Sequence, residues 1–385
     1  MLLSLIEIFA VILPVLLGIA YLTLAERKIM GSMQRRVGPN HIGLFGLLQP
    51  LSDGIKLLLK ETIFPSQSDK IFFISAPLII FTVNLLGWAT IPFGEGNSIS
   101  DMELGIIYLL AMSSISVVGI ILAGWSGNSK YSLMGSLRTT AQLISYELVI
   151  GLTILTIIGV VGSYNLNEII LFQKHSIIFL LPLLPLFPIL FISALAETNR
   201  VPFDLVESES ELVSGAFTEY SSFSFALIFL VDKLEYGAMI SMCTLINILF
   251  LGGYLVPFSY LFSDFLLIFL EPLFLGLKTC LLLFIFIWVR ATLPRVKFNQ
   301  LINLNWKCLL PITLGLFMLV ISLLILIFPI DNINIQYLFL PFIFKNFKIN
   351  KKFFNKFLIL ILILGFLSFF IYFIYISNIL TKNII

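Results

Sequence analysis

Nine stretches of the chain are almost continuously apolar, and polar residues collect between them. The runs cover residues 2–25, 71–93, 104–125, 139–162, 176–196, 236–257, 266–289, 308–330 and 357–378. A hydrocarbon layer about 30 Å thick needs about 20 residues of helix to cross it, so each run is long enough to span. A tenth run, 220–231, has twelve residues and is separated from 236–257 by Asp232, Lys233 and Glu235. Twelve residues cannot cross alone, so 220–257 reads as one long span that tilts or emerges from the bilayer at its first end. No internal repeat is visible, which removes support for solenoid and inverted-repeat architectures. The expected fold class is an all-α polytopic membrane protein.

The polar segments between spans give an orientation. Counted from the N-terminus, the odd segments are 26–70, 126–138, 197–219 and 290–307. They hold nearly all the loop cations, whereas the even segments 94–103, 163–175 and 258–265 hold only Lys174. The positive-inside rule then puts the odd segments on the cytoplasmic or matrix side, with the N-terminus outside. The long loops therefore share one face. The tail departs from this pattern. Lys345, Lys348, Lys351, Lys352 and Lys356 precede the run 357–378, which fits a surface anchor or a ninth span about equally well.

Composition agrees with the pattern. The chain has 385 residues, 59% hydrophobic and 11% charged, with mean hydropathy +1.07. A water-soluble globule is near 45–50% apolar and about 25% charged, so a soluble enzyme is excluded. The net charge of +2 gives no reason to expect nucleic acid as a partner. Cys243, Cys280 and Cys308 form no CxxC pair, and His41 and His175 are the only histidines. This inventory lacks both haem ligands and a thiolate set for an iron–sulfur cluster. Neither a GxGxxG nor a GxxxxGK[ST] segment is present. No metal site is expected, and any redox centre would sit on another chain. The N-terminus lacks the basic segment of a signal peptide. Sixteen lysines against seven arginines, with 38 phenylalanines, suggest an AT-rich genome, of which an organellar genome is one kind.

Three polar groupings carry candidate chemistry. In the first inside segment, Leu47 to Glu61 reads as an amphipathic interfacial helix, with Leu51, Ile55, Leu58 and Leu59 opposite Asp53, Lys56 and Lys60. It could equally be a plain cap on the bundle. In the third inside segment, Glu197, Asp204, Glu207, Glu209, Glu211 and Glu219 face a single cation, Arg200, for a segment charge of −5. Crowded carboxylates raise one another's pKa and so can exchange protons near neutral pH. A solvated acidic loop that docks a basic partner is the competing reading. Arg200 and Asp204 stand four apart and would pair if that stretch were helical. Glu147 and Lys278 lie deep within spans, where an ionisable group is a functional candidate by default. A structural ion pair inside the bundle is the alternative for both.

Several longer stretches are more specific. They are AERKIMGSMQRRVGPNHIGLFGLLQPLSDGIKLLLKE (25–61), GWSGNSKYSLMGSLRTTAQLISYE (124–147), AETNRVPFDLVESESELVSG (196–215), EYSSFSFALIFL (219–230) and LKTCLLLFIFIWVRATLPRVKFNQLINLNWK (277–307). In content and order they resemble the subunit 1 family of the proton-pumping NADH:quinone oxidoreductase, respiratory complex I. The resemblance covers about residues 1–328. It implies an eight-helix membrane body with one amphipathic interfacial helix, and leaves 329–385 as a C-terminal extension holding a possible ninth membrane segment.

The resemblance also implies a function. Members of this family bind no cofactor themselves. They form much of a quinone-binding chamber and open a carboxylate proton path that couples quinone reduction to proton translocation. Ubiquinone is the implied substrate, with FMN and iron–sulfur clusters on partner subunits. The implied partners are the hydrophilic-arm subunits at the quinone site, small neighbouring membrane subunits and membrane lipids. The implied location is the mitochondrial inner membrane, with the N-terminus on the intermembrane-space side. Residues matching the family's chamber are Glu26, Arg27, Gln34, Arg35, Arg36, Arg200, Phe203, Asp204, Glu207, Glu209 and Phe223. Those matching its proton path are Glu147, Glu197, Glu207, Glu209, Glu211 and Glu219. Asp53 and Lys56 match polar positions of its amphipathic helix; Lys130, Arg138 and Arg290 match basic positions of its inside face.

The chain also departs from the family pattern. Ser208 replaces a usual Gly or Ala, Ala216-Phe217-Thr218 is unusual, and the stretch 230–236 is about three residues longer. The tail after about 329 matches nothing in the family. Two readings from other classes compete. A stand-alone secondary transporter or ion channel would explain Glu147 and Lys278, but predicts broken spans in a repeat. A purely structural anchor for peripheral subunits would explain the one-sided loops but not Glu147.

Overall fold

In a computed structural model, residues 2–61, 63–204, 215–220, 222–257, 259 and 263–327 are described. The expected site residues Glu207, Glu209 and Glu211 and the segment 329–385, including the run 357–378, lie outside the described residues. The side chain of Phe223 does too.

The described residues are helical, without strands: α1 Leu2–Met33, α2 Gln49–Leu58, α3 Lys70–Gly87, α4 Gly105–Ser126, α5 Lys130–Val161, α6 Leu166–His175, α7 Leu186–Glu197, α8 Ser222–Phe250, α9 Asp264–Thr292, α10 Phe298–Leu304 and α11 Leu310–Ile327. A π-helical turn, Asn305–Leu309, joins α10 to α11. Among the described residues six helices are long and apolar enough to cross a membrane, and α7 and the Tyr236–Phe250 part of α8 are shorter apolar helices. This agrees with the expected polytopic all-α class.

Helix α5 is the axis of the bundle. It packs against α4 on one side and against α7 and α11 on the others. Its buried face runs from Gln142 and Tyr146 through Val149, Ile150, Ile154 and Ile157 to Val161. Without water to drive association, helices in lipid gain by close packing and by interhelical hydrogen bonds. Both occur where α4 meets α5: Gly124 leaves room for Ser136, and Ser132 Oγ donates to the Gly124 carbonyl at 3.0 Å. Helix α5 begins at Lys130, nine residues before the expected span, because Ser129 caps it: Ser129 Oγ accepts from Ser132 N.

Three expectations need correction. The run 176–196 is not a single span, since residues 179–185 are turns and only Leu186–Glu197 is helical. Pro182 and Pro185 explain this, because each lacks an N–H and its ring clashes with a preceding helical turn. The expected loop 163–175 is mostly the helix α6. Asn165 caps it through Asn167 N at 2.8 Å, and Leu166, Ile169 and Ile170 are buried on one side. The span expected to reach 257 ends at Phe250, where Gly252 (φ 75°) and Gly253 (φ 53°) turn the chain through a conformation that other residues rarely adopt. The long helix expected across 220–257 is otherwise one continuous helix from Ser222.

Helix α2 lies where an amphipathic helix was expected, and its apolar residues Leu51 and Ile55, its basic residue Lys56 and Lys60 just beyond it are all exposed. Leu51 and Ile55 are both 57% exposed. Asp53 faces the body, where Arg27 Nη1 donates to it at 3.0 Å and Gln49 Nε2 at 2.9 Å. An apolar face turned outward on the protein is what a helix lying against acyl chains presents.

Candidate functional site

Glu26, near the end of α1, is the centre of the strongest charge cluster among the described residues. Its side chain is only 3% exposed, and Arg290 of α9 and the hydroxyl of Tyr236 of α8 both donate hydrogen bonds to it. Arg200 lies 3.8 Å from the same carboxylate and stacks over the Tyr236 ring with its guanidinium carbon 3.9 Å from the centroid. Two guanidinium groups thus share one buried carboxylate and one phenol, and the cluster ties α1, α8, α9 and the loop after α7 together.

That loop runs from Glu197 to Asp204. Its backbone turns back on itself: Arg200 N donates to Leu195 O at 3.2 Å and Phe203 N to Arg200 O at 2.7 Å. The expected Arg200–Asp204 pair does not form. The stretch is a turn rather than a helix, since Pro202 keeps Val201 out of the helical region. Arg200 goes to Glu26 instead, and buried Asp204 accepts from Arg295 Nη2 at 3.1 Å. The loop is held to the bundle at a second point, where Val296 N donates to Pro202 O at 3.0 Å.

Behind the loop is a cavity of about 110 Å³, bounded among others by Asn84, Ser113, Ser116, Glu197, Asn199 and Ser241. The rest of its wall is mostly aliphatic. The few polar groups in this wall and its volume suit a small number of water molecules. Glu197 Oε2 is shielded from solvent and has no hydrogen-bond partner among the described residues. Glu147, on α5, accepts from Ser113 Oγ at 3.3 Å and from Ser114 Oγ, and it is near enough to Glu197 for their charges to interact. Ser113 therefore touches both the cavity and Glu147.

Other expected residues fall elsewhere. Gln34, Arg35 and Arg36 are exposed on the turn after α1, with Arg36 Nε donating to Gln34 Oε1 at 2.7 Å. Arg27 is turned to Asp53 rather than Glu26. Phe203 is buried in the central core, with its ring 6.0 Å from that of Tyr146. Glu219 lies beside Gly127 at the α4–α5 turn, apart from the Glu147–Glu197 pair. Its neighbour Tyr220 stacks on Phe73 at 3.9 Å and shares a 3.2 Å hydrogen bond with Ser126 Oγ. Burial pushes the Tyr220 phenol up to about 12, so it stays neutral at physiological pH.

Among the described residues Lys278 forms no ion pair, and it is turned away from the cavity. Its ammonium donates to the carbonyls of Leu251, Gly253 and Leu255 at 3.0, 2.9 and 3.0 Å. An ammonium has three donors, so all are used on the turn that ends α8.

Sequence reasoning missed Tyr236, Ser113, Ser114 and Gln142. The Ser113-Ser114 pair inside an apolar span, and Gln142 one turn before Tyr146, were the available signals. Gln142 is fully buried, and its Nε2 donates to Ala196 O at 2.8 Å and Phe203 O at 2.9 Å.

Comparison with known proteins adds a family. A family model described as NADH dehydrogenase matches residues 6–321. The chain is 50% identical over 322 residues to "NADH-ubiquinone oxidoreductase chain 1" of Mycosarcoma maydis, covering 84% of this chain and 96% of that one. It is 51% identical over 322 residues to the protein of the same name from Chondrus crispus, covering 83% and 96%. With a subunit of the NADH-quinone oxidoreductase of Rickettsia typhi it shares 51% identity over 330 residues, covering 85% and 94%.

Proposed function

The chain belongs to the NADH dehydrogenase family, and from that premise we propose that it builds much of a quinone chamber and the first part of a proton path. It is a membrane subunit of an NADH:quinone oxidoreductase and works with the other subunits of that complex. This membership displaces the stand-alone transporter or channel reading. Ubiquinone is the substrate, and its two electrons come from FMN and iron–sulfur clusters carried by partner subunits. The partners next to this chain are the hydrophilic-arm subunits of the quinone site and small membrane subunits. The chain sits in the mitochondrial inner membrane with its N-terminus toward the intermembrane space, as the one-sided loop cations favour. Residues 1–328 form the family body, and 329–385 are an addition.

One observation carries the reading. The single loop 197–204 holds Arg200 on the Glu26 cluster, Asp204 on Arg295, and Glu197 in the cavity that is also lined by Ser113, a donor to Glu147. A change of charge at one end of this loop is therefore felt at the other. Reduction of a quinone to a quinol takes two electrons and two protons. Negative charge developing on the head group draws on Arg200, Arg290 and Arg295 and loosens their hold on Glu26 and Asp204. Asp204, with Glu207, Glu209 and Glu211, takes up or releases protons in response. The shift reaches Glu219, Glu197 and Glu147 by linkage between proton binding and conformation. These carboxylates carry protons and field; they break no bond of the substrate. Arg27, Gln34, Arg35, Arg36, Phe203 and Phe223 complete the chamber and its mouth, next to the outward apolar face of α2.

A photoreactive quinone analogue tests the chamber: it should label segments 26–61 or 196–230 of the assembled complex, and labelling confined to other segments would overturn it. Glu147→Ala and Asp204→Asn test the relay. Each should lower quinone-linked pumping in assembled complex, and normal pumping in both would sink it.

A further inference from the structure

We infer that Gln142 is a positioning residue, a clasp that makes helix α5 and the loop 197–204 move as one body; the inference rests on the relay reading above. The carboxamide nitrogen of Gln142 has two protons. One goes to the carbonyl of Ala196, just before Glu197, and the other to the carbonyl of Phe203, just before Asp204. A single nitrogen thus bridges the two ends of the loop that holds Glu197, Arg200 and Asp204. Asn199 Oδ1 stands 3.4 Å away as a third, weaker acceptor.

The orientation of this amide is determined by its surroundings. Turning it over would set Oε1 against two carbonyl oxygens, a repulsive arrangement. As oriented, both donors are used, and Oε1 has no partner among the described residues. A buried acceptor left unpaired is unfavourable and calls for a reason. Holding both ends of the loop with one side chain is such a reason.

Helix α5 meets the loop at a second point, Phe203, and is itself tied to α10 and the π-helical turn. Tyr146, one turn further on and on the same side, packs its ring against Phe203 and donates to Leu301 O at 3.3 Å. Ser145 O accepts from Asn305 Nδ2 at 2.6 Å. Glu147 is the residue after Tyr146, bound to Ser113 and Ser114 of α4. A displacement of the loop away from α5 works against both Gln142 hydrogen bonds, and where they hold it draws on α5. That pull moves Glu147 relative to its serine partners. The Gln142 amide is a direct polar link between the charge-bearing loop and the helix that bears Glu147.

The test uses the assembled complex in sealed vesicles, with protons moved per quinone reduced as the readout. Gln142→Met keeps the length and bulk of the side chain and removes both donors. It should lower the number of protons moved per quinone, because the linkage between the two sites is weakened. Gln142→Asn, which can reach only one of the two carbonyls, should lie between Gln142→Met and the parent. An unchanged ratio in Gln142→Met, with only the amount of assembled complex reduced, would make Gln142 a packing residue and overturn the inference. Should both variants fail to assemble, hydrogen exchange on the unaltered complex decides. Binding of a quinone-site inhibitor should change protection in 196–204 and in 139–147 together, and a change confined to the loop overturns the clasp. Failure of the clasp is distinct from failure of the relay. If Glu147→Ala and Asp204→Asn lower the ratio and Gln142→Met does not, only the clasp falls; if none of the three does, the relay falls as well.

Discussion

Replacing Glu26 by Gln keeps the shape of the side chain and removes its charge. Arg290 would then lose the carboxylate to which it donates, and Arg200 one of its ionic contacts. The Arg200 contact alone, at 3.8 Å, is worth about 4 kcal/mol at an effective dielectric constant of about 20. Removing one partner of a buried ion pair costs about 3–5 kcal/mol once desolvation is included. Counted over the described residues, the cluster carries one carboxylate and two guanidinium groups; Glu26→Gln removes the carboxylate, and Arg290→Met removes one of the two guanidinium groups that it holds. Glu26→Gln should therefore cost about 3 kcal/mol or more in the parent and measurably less when Arg290→Met is already present, because the Arg290 attraction is then no longer there to lose while the Arg200 contact still is. Heat inactivation of NADH-driven quinone reduction at one fixed temperature measures this. If the loss is felt wholly in the unfolding barrier, about 3 kcal/mol is about a hundredfold faster inactivation. Equal acceleration by Glu26→Gln in both backgrounds would refute the cluster as the cause.

Three further outcomes can be checked. Lys278→Met leaves three turn carbonyls without their donor and should lower the yield of assembled complex, by about 1–3 kcal/mol for each group left unpaired and buried, while protons moved per quinone in the surviving complex hold steady; a falling ratio would make Lys278 part of the path. Replacing Ser113 and Ser114 together by Ala removes both donors to Glu147 and should lower the pumping ratio with little effect on heat inactivation; an unchanged ratio in assembled complex would remove the serines from the relay. Tyr220, raised from an ordinary value of 10.0 to about 12, contributes stability that is fully present below pH 10 and is lost as pH rises through about 12; alkaline inactivation should be less steep over that interval in Tyr220→Phe, and identical profiles would contradict the burial argument.

How far the sequence foretold these features depended on where each partner lies. Helices α3, α4 and α9 were legible because one property, apolar length, both defines them and can be read in order along the chain. Helix α6 was hidden by its ten-residue length, although Asn165 and the spacing of Leu166, Ile169 and Ile170 marked it. The broken run 176–196 was hidden because hydropathy treats Pro182 and Pro185 as apolar, whereas the backbone treats them as breaks. At the site, Glu147 stood out as a charge in apolar surroundings, whereas Glu26, next to Arg27 and Lys28, was reached only through the family resemblance. Their partners were marked by neither. Arg200 was matched to Asp204 by spacing, a rule that holds only on a helix, and Pro202 prevents one there. Gln142 and Lys278 act on backbone carbonyls, which every residue possesses and which no side-chain pattern reveals. For Lys278, hydropathy gave depth but not the three oxygens around it.

The Glu26–Arg290 contact also sets a clock. Its two residues are 264 positions apart, so a ribosome adding about 5–20 residues per second delivers Arg290 roughly 13–50 s after Glu26. Through that interval the carboxylate near the end of α1 waits for its partners, since Arg200 and Tyr236 also come later. The contact closes only after α9 has been threaded into place. A chain stalled before that helix can hold Glu26 with Arg200 and Tyr236 but not with Arg290, so the fastening of α1 to α9 is the last part of the cluster to form.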